Sequence, residues 1–196
     1  MEEYNGILLK CDSSKEFVDL DEMGSFFTDI AGLYEDIVVF ELFLRNRPFP
    51  VEKPFLDFIE KGRWPKLSDE YRLKVYKIES NSPPILHLFT LQNISTAMSI
   101  FVGILEIIEF VQHSKEREKD IKYTVEEELH KRLREQEYFG HKKAEENYFR
   151  DRFENRFRDR IIRRAMRLAK KRLYIKEVKE ITLPPKNRDN DKPSRY

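Results

Sequence analysis

Residues 83–111, PPILHLFTLQNISTAMSIFVGILEIIEFV, decide how this chain folds. From the turn at Asn81-Ser82-Pro83-Pro84 to Glu106 there is no Lys, Arg, Asp or Glu, although 37% of the whole chain is charged. The hydrophobic period changes within the stretch. Ile85, Leu86, Leu88, Phe89 and Leu91 form a short apolar run behind a double proline, the pattern of a buried strand. From Ser95 onward Ala97, Ile100, Phe101, Ile104, Ile107, Ile108 and Val111 recur every three or four residues, which places them on one helical stripe that Ser95 or Thr96 can cap. The uncharged run is also about as long as a bilayer crossing requires. Against a membrane span stand the double proline, the polar set Gln92, Asn93, Ser95, Thr96 and Ser99, and two carboxylates, Glu106 and Glu109, each costly in hydrocarbon. The stretch therefore reads as the core of a folded protein, with membrane association through 85–111 as a third-ranked alternative.

At 196 residues the chain suits one domain with an extension. Its 15 Phe and 9 Tyr argue for folding, because disordered chains are poor in aromatics. The lone cysteine, Cys11, can form no internal disulfide, and MEEYNGILLK lacks the basic start and apolar run of a secretory signal. A cytoplasmic protein is the expectation. Net charge is +1, but residues 151–196 hold 16 basic against 7 acidic side chains. Such a basic end can bind nucleic acid, anionic lipid, an acidic partner or the protein's own acidic half.

Outward from the central stretch, YRLKVYKIE at 71–79 alternates Leu73 and Val75 with Arg72, Lys74 and Tyr76, which predicts a half-buried strand paired antiparallel with 85–91 through the SNSPP turn. Ile7, Leu8 and Leu9 suit a first strand or an ordered arm. FFTDIAGLYEDIVVFELFL predicts a helix capped by Asp19 or Asp21 and lying on the same sheet; its β-branched end leaves a strand over 36–44 open. Prolines 48, 50, 54 and 65 break up the next stretch, where Trp64 is expected to anchor the loop.

Beyond Gln112 the chain becomes polar while helix propensity stays high. One long helix from Ser95 to Phe139 is expected, ended at Gly140, followed by a second from Lys142 to Leu173, the two forming a charged hairpin. YIKEVKEITL can close as a strand or a helix end, and 184–196 reads as a disordered tail. The fold class is thus α+β: a small sheet packed by helices, with a core domain over 1–111, a charged helical hairpin over 112–183 and the tail.

No catalytic motif is present: no nucleophile elbow, no Cys–His signature, no phosphate loop. His87, His113, His130 and His141 lack zinc spacing, and Glu127-x-x-His130 is a single copy of a motif that a di-iron site needs twice. His87 reads as a core histidine bonded to backbone, Ser82 as a turn residue, and Glu106 with Glu109 as the edge of a solvated face. No cofactor and no metal are expected. The basic run RDRFENRFRDRIIRRAMRLAKKR supplies the candidate contacts. Arg152, Arg156, Arg160, Arg163, Arg164, Arg167 and Lys171 could follow phosphates or an acidic partner. Phe149, Phe153, Phe157 and Ile161 recur every fourth residue, which is helix-packing geometry. Interspersed Asp151, Glu154 and Asp159, and the acidic residues Glu126, Glu127, Glu128, Glu135, Glu137, Glu145 and Glu146 facing them across a hairpin, favour helix–helix or subunit contact. The reading is a non-enzymatic protein–protein interaction or oligomerisation module, with a nucleic-acid-binding accessory protein using 150–172 as the alternative.

Overall fold

A computed structural model of the chain describes residues 4–13, 19–45, 67–79, 85–91, 95–114, 123–127, 144–171 and 173–183. Its elements are β1 (Tyr4–Ser13), α1 (Leu20–Arg45), a 3-10 turn (Asp69–Tyr71), β2 (Lys74–Glu79), β3 (Ile85–Phe89), α2 (Ser95–Ser114), a short α3 (123–127), α4 (Ala144–Ala169) and β4 (Leu173–Leu183). The fold is α+β, with an antiparallel four-stranded sheet in the order β2-β3-β1-β4.

The short apolar run at the head of the central stretch is β3, and its partner across the SNSPP turn is β2, as the alternation predicts. The weakly marked N-terminal run is the middle strand β1, in register with β3 from Gly6↔Phe89 to Lys10↔Ile85. Side chains alternate across a strand, so one face of β1 buries Ile7, Leu9 and Cys11 beside Leu86 and Leu88 of β3. Cys11 is deep enough that burial pushes its thiol up to about 12, leaving it unreactive at neutral pH. At Gly6 a Cβ would run into the Leu88 carbonyl oxygen, so this strand tolerates no side chain there.

α2 lies over this face and packs on β4, with Ala97, Ile100, Phe101, Ile104, Leu105 and Ile108 buried. Tyr34 of α1 meets Phe101 edge to face, ring centroids 5.2 Å apart. α1 is helical through Arg45, so the strand considered over 36–44 does not form; Ile37 to Glu41 are consecutively buried because the helix is covered on more than one side. It packs mainly on α4 and α2 and reaches the sheet chiefly at β4, rather than lying flat on it.

The chain after 112 contributes to the core. Phe157, Ile161, Ile162, Ala165 and Leu168 of α4 are buried, and β4 pairs with β1 from Tyr4↔Leu183 to Ser13↔Leu173. YIKEVKEITL is thus a strand. The boundary drawn at 112 does not coincide with the edge of the core, because the β4 ladder carries the chain back into the sheet. Gln112 secures the return: its amide nitrogen donates to the Leu168 carbonyl at 3.0 Å, and its amide oxygen accepts from the Ile175 N–H at 2.9 Å. The hairpin closure at Gly140, Trp64 and the tail from 184 lie outside the described residues.

Candidate interaction surfaces

The basic helix was the strongest chemical signal in the sequence, and α4 brings much of it against α1. Arg160 donates through Nε to both carboxylate oxygens of Asp36, at 2.8 and 3.0 Å, and Arg164 Nε donates to Asp36 Oδ2 at 2.6 Å. The Arg164 Nη1 also lies 3.7 Å from Asp29, which takes Arg167 Nη2 and Lys171 Nζ at 3.2 Å each. Lys171 additionally hydrogen-bonds the Ser25 hydroxyl. The Asp36 side chain is 1% exposed. Burial pushes its carboxyl above the ordinary value, and the two guanidinium groups pull the other way. Of the glutamates expected to face this helix, the side chains of Glu128, Glu135, Glu137, Glu145 and Glu146 lie outside the described residues; Asp29 and Asp36 of α1 are partners that the sequence did not suggest.

Local sequence makes this possible. Asp29, Gly32 and Asp36 fall three and four apart, so they share one face of α1. Gly32 lies between the acids, and a Cβ on it would meet Nη1, Cζ and Nη2 of Arg164, the farthest at 2.8 Å. The guanidinium thus crosses α1 directly over the glycine. In an exposed helix Gly32→Ala would gain about 1 kcal/mol from propensity. Here it is expected to cost about 1–3 kcal/mol, because Arg164 can yield only by leaving its carboxylates. Urea unfolding of the variant reads the sign directly.

The remaining candidates divide. Arg163 is exposed, with its Nε donating to the Asp159 carbonyl at 3.1 Å, and Arg156 is half-buried. Arg167 keeps 58% of its side chain exposed. Phe157 packs on Phe40 with ring centroids 5.8 Å apart, and Ile161 is fully buried. The side chains of Arg152, Phe149 and Phe153 lie outside the described residues.

A second surface had no forecast in the sequence. The face of the sheet opposite α2 carries Leu8, Lys10, Asp12, Ile85, His87 and Phe89, all half-buried, with Leu183 of β4 buried over Gly6. Tyr76 stands edge to face on Phe89, ring centroids 6.1 Å apart. His87 bonds Glu79, Nε2 to Oε1 at 3.1 Å, instead of the backbone group expected of a core histidine. Glu79 also takes Lys77 at 3.0 Å, Lys74 pairs with Asp69 at 2.5 Å, and Lys176 with Asp12 at 3.2 Å. Lys77, then His87, holds the Glu79 carboxyl below its ordinary value. Positive and negative groups thus alternate on this face.

The edge strand β2 adds exposed apolar groups. A bulge between Val75 and Lys77 sets Tyr76 outside the ladder with β3. Val75 and Ile78 therefore both point to the helix side, opposite Leu88 and Leu86, yet they are 55% and 60% exposed. The alternation read from the sequence buried Val75; the helices cover β1, β3 and β4 and stop short of this edge. Glu106 is exposed and Glu109 half-buried on the outer side of α2, and among the described residues no three metal-ligating side chains come together.

No protein-family model, no curated protein and no solved structure matches this chain.

Proposed function

We propose that the chain is a non-enzymatic protein–protein interaction module that associates with copies of itself. The observation that carries this reading is β2: an edge strand whose Val75 and Ile78 remain uncovered by the helices that bury their neighbours on β3. Large exposed apolar groups beside an unpaired strand edge mark a contact surface. Of the charged helical hairpin expected over 112–183, only the faces of α4 not buried against α1 and the core enter the same proposal, as a second contact surface.

Nucleic-acid binding through 150–172 has less support, because Arg160, Arg164 and Lys171 are engaged by Asp29 and Asp36, and among the described residues Arg163 and Arg167 are the exposed arginines of this stretch. Sedimentation over a wide concentration range tests the reading. Reversible growth in mass with concentration is expected, and a monomer throughout would overturn it. Salt-dependent nucleic-acid binding, abolished by Arg163→Glu with Arg167→Glu, would instead revive the alternative.

A further inference from the structure

The bulge in β2 has an effect on the strand's symmetry. Without it, Val75 and Ile78 would fall on opposite faces, as would Lys74 and Glu79. With Tyr76 set outside the β3 ladder, Lys74 and Glu79 share the open face, Val75 and Ile78 share the helix face, and Tyr76 and Lys77 occupy the middle together on the open face. Read in either direction, the strand then presents the same sequence of faces: open, helix, open, helix, open.

We infer that β2 is a pairing edge for a second copy of this chain, its β2 running antiparallel across a twofold axis with Lys74 opposite Glu79, Val75 opposite Ile78 and Tyr76 opposite Lys77. This rests on the self-association reading and names the surface that performs it. Every pair in that register joins side chains of one face, and each is chemically matched. The Lys74 ammonium meets a carboxylate, the two exposed apolar residues cover each other, and a Lys77 ammonium lies by a tyrosine ring. A twofold contact uses one patch twice, so it must be self-complementary, and KVYKIE is. Strand addition supplies backbone hydrogen bonds to the outer edge of β2, and the sheet continues through the contact as eight strands.

Two alternatives fit less well. The other edge, β4, already has Ile175 and Val178 buried, so pairing there would cover little apolar surface. Lysines and bulges on edge strands usually guard against indiscriminate pairing. Here the guard is selective, since the register above is the one in which Glu79 of a second copy neutralises Lys74 while the apolar pair meets. The present partners can accommodate it: Lys74 and Glu79 keep 29% and 28% of their side chains exposed, their partners Asp69 and Lys77 are 76% and 58% exposed, and a carboxylate that takes Lys77 and His87 can accept from a further ammonium.

Charge reversal reads the register. Lys74→Glu and Glu79→Lys, each alone, set like charges opposite each other at both ends of the ladder and should weaken self-association of the full chain about tenfold. The double variant, Lys74→Glu with Glu79→Lys, restores opposite charges and should return the association to within about threefold of the unaltered chain. Val75→Lys with Ile78→Lys should leave a monomer with an unchanged far-UV spectrum, both positions being exposed. Self-association untouched by these variants, or weakened by the single reversals without rescue in the double, overturns β2 as the edge and leaves self-association standing. A chain that is monomeric at every concentration overturns both.

Discussion

Asp36→Ala is expected to destabilise the fold by up to about 3–5 kcal/mol, because it removes the buried carboxylate between Arg160, which is a third exposed, and Arg164, which keeps only its 3.7 Å contact with Asp29. A domain of this kind has about 5–15 kcal/mol in total, so the variant should unfold at a far lower denaturant concentration or fail to accumulate. Asp29→Ala should cost less, since the Arg167 side chain is 58% exposed and Lys171 keeps its hydrogen bond to Ser25. The contrast separates a buried clasp from a surface charge patch. Burial holds the Asp36 carboxyl above its ordinary value in the folded chain. The proton-linked part of its contribution to stability is then full below the unfolded value of 3.8 and is lost as pH rises through the folded value, separately from the ion pairing that Asp36→Ala removes. The ion pairs with Arg160 and Arg164 are made at a desolvation cost. Replacing the whole group, Asp36→Leu with Arg160→Met and Arg164→Leu, should therefore give a chain at least as stable as the original near pH 7, with the advantage shrinking towards about pH 4. Denaturation of the three chains at both pH values checks this, and a triple variant as damaged as Asp36→Ala would show that the clasp is needed for more than its charges.

That clasp also shows what could be read in the sequence and what could not. Regular periodicity is local, so the first half of α1, the start of α2 at Ser95 and the β2–β3 pair were legible from the spacing of apolar residues alone, while the β-branched end of α1 left a strand open and the long helix drawn to Phe139 runs beyond the described residues. Strand β4 was ambiguous because Leu173, Ile175, Val178 and Ile181 fit neither period cleanly; the irregularity opposite Lys10 and Cys11 shifts its register part-way. Ion-pair partners are set by tertiary contact. The nearby glutamates offered themselves as partners for the basic helix, whereas the acids on α1 lie over a hundred residues away. One local signal did exist: two aspartates and a glycine on a single face of a helix with no basic residue before Arg45, a pattern that calls for a cation. The exposure of Val75 was not legible either, because alternation predicts two faces and cannot say where a covering helix stops.

Phe101 and Phe110 stand on the same helix, α2, and their truncations should differ by most of the stability range a single substitution can span. Phe101 is fully buried against Tyr34, so Phe101→Ala opens a cavity under α1 and should cost about 3–5 kcal/mol. It also removes the ring on which the Tyr34 phenol is seated, a group whose burial already pushes it up to about 12. Phe110 is 62% exposed beside Glu106, and Phe110→Ala should stay within about 0.5 kcal/mol of the original chain. The pair bears on the membrane alternative as well. By length and composition Thr96–His113 could cross a bilayer. A spanning helix would turn Phe110 towards lipid, and its loss would then weaken recovery in the membrane fraction while leaving denaturation in water without meaning. A core helix gives the opposite pattern: cooperative unfolding in water, steeply shifted by Phe101→Ala and indifferent to Phe110→Ala. Equal effects of the two truncations would contradict the packing of α2 between the sheet and α1, and with it the protein-lined core on which the exposed edge at β2 depends.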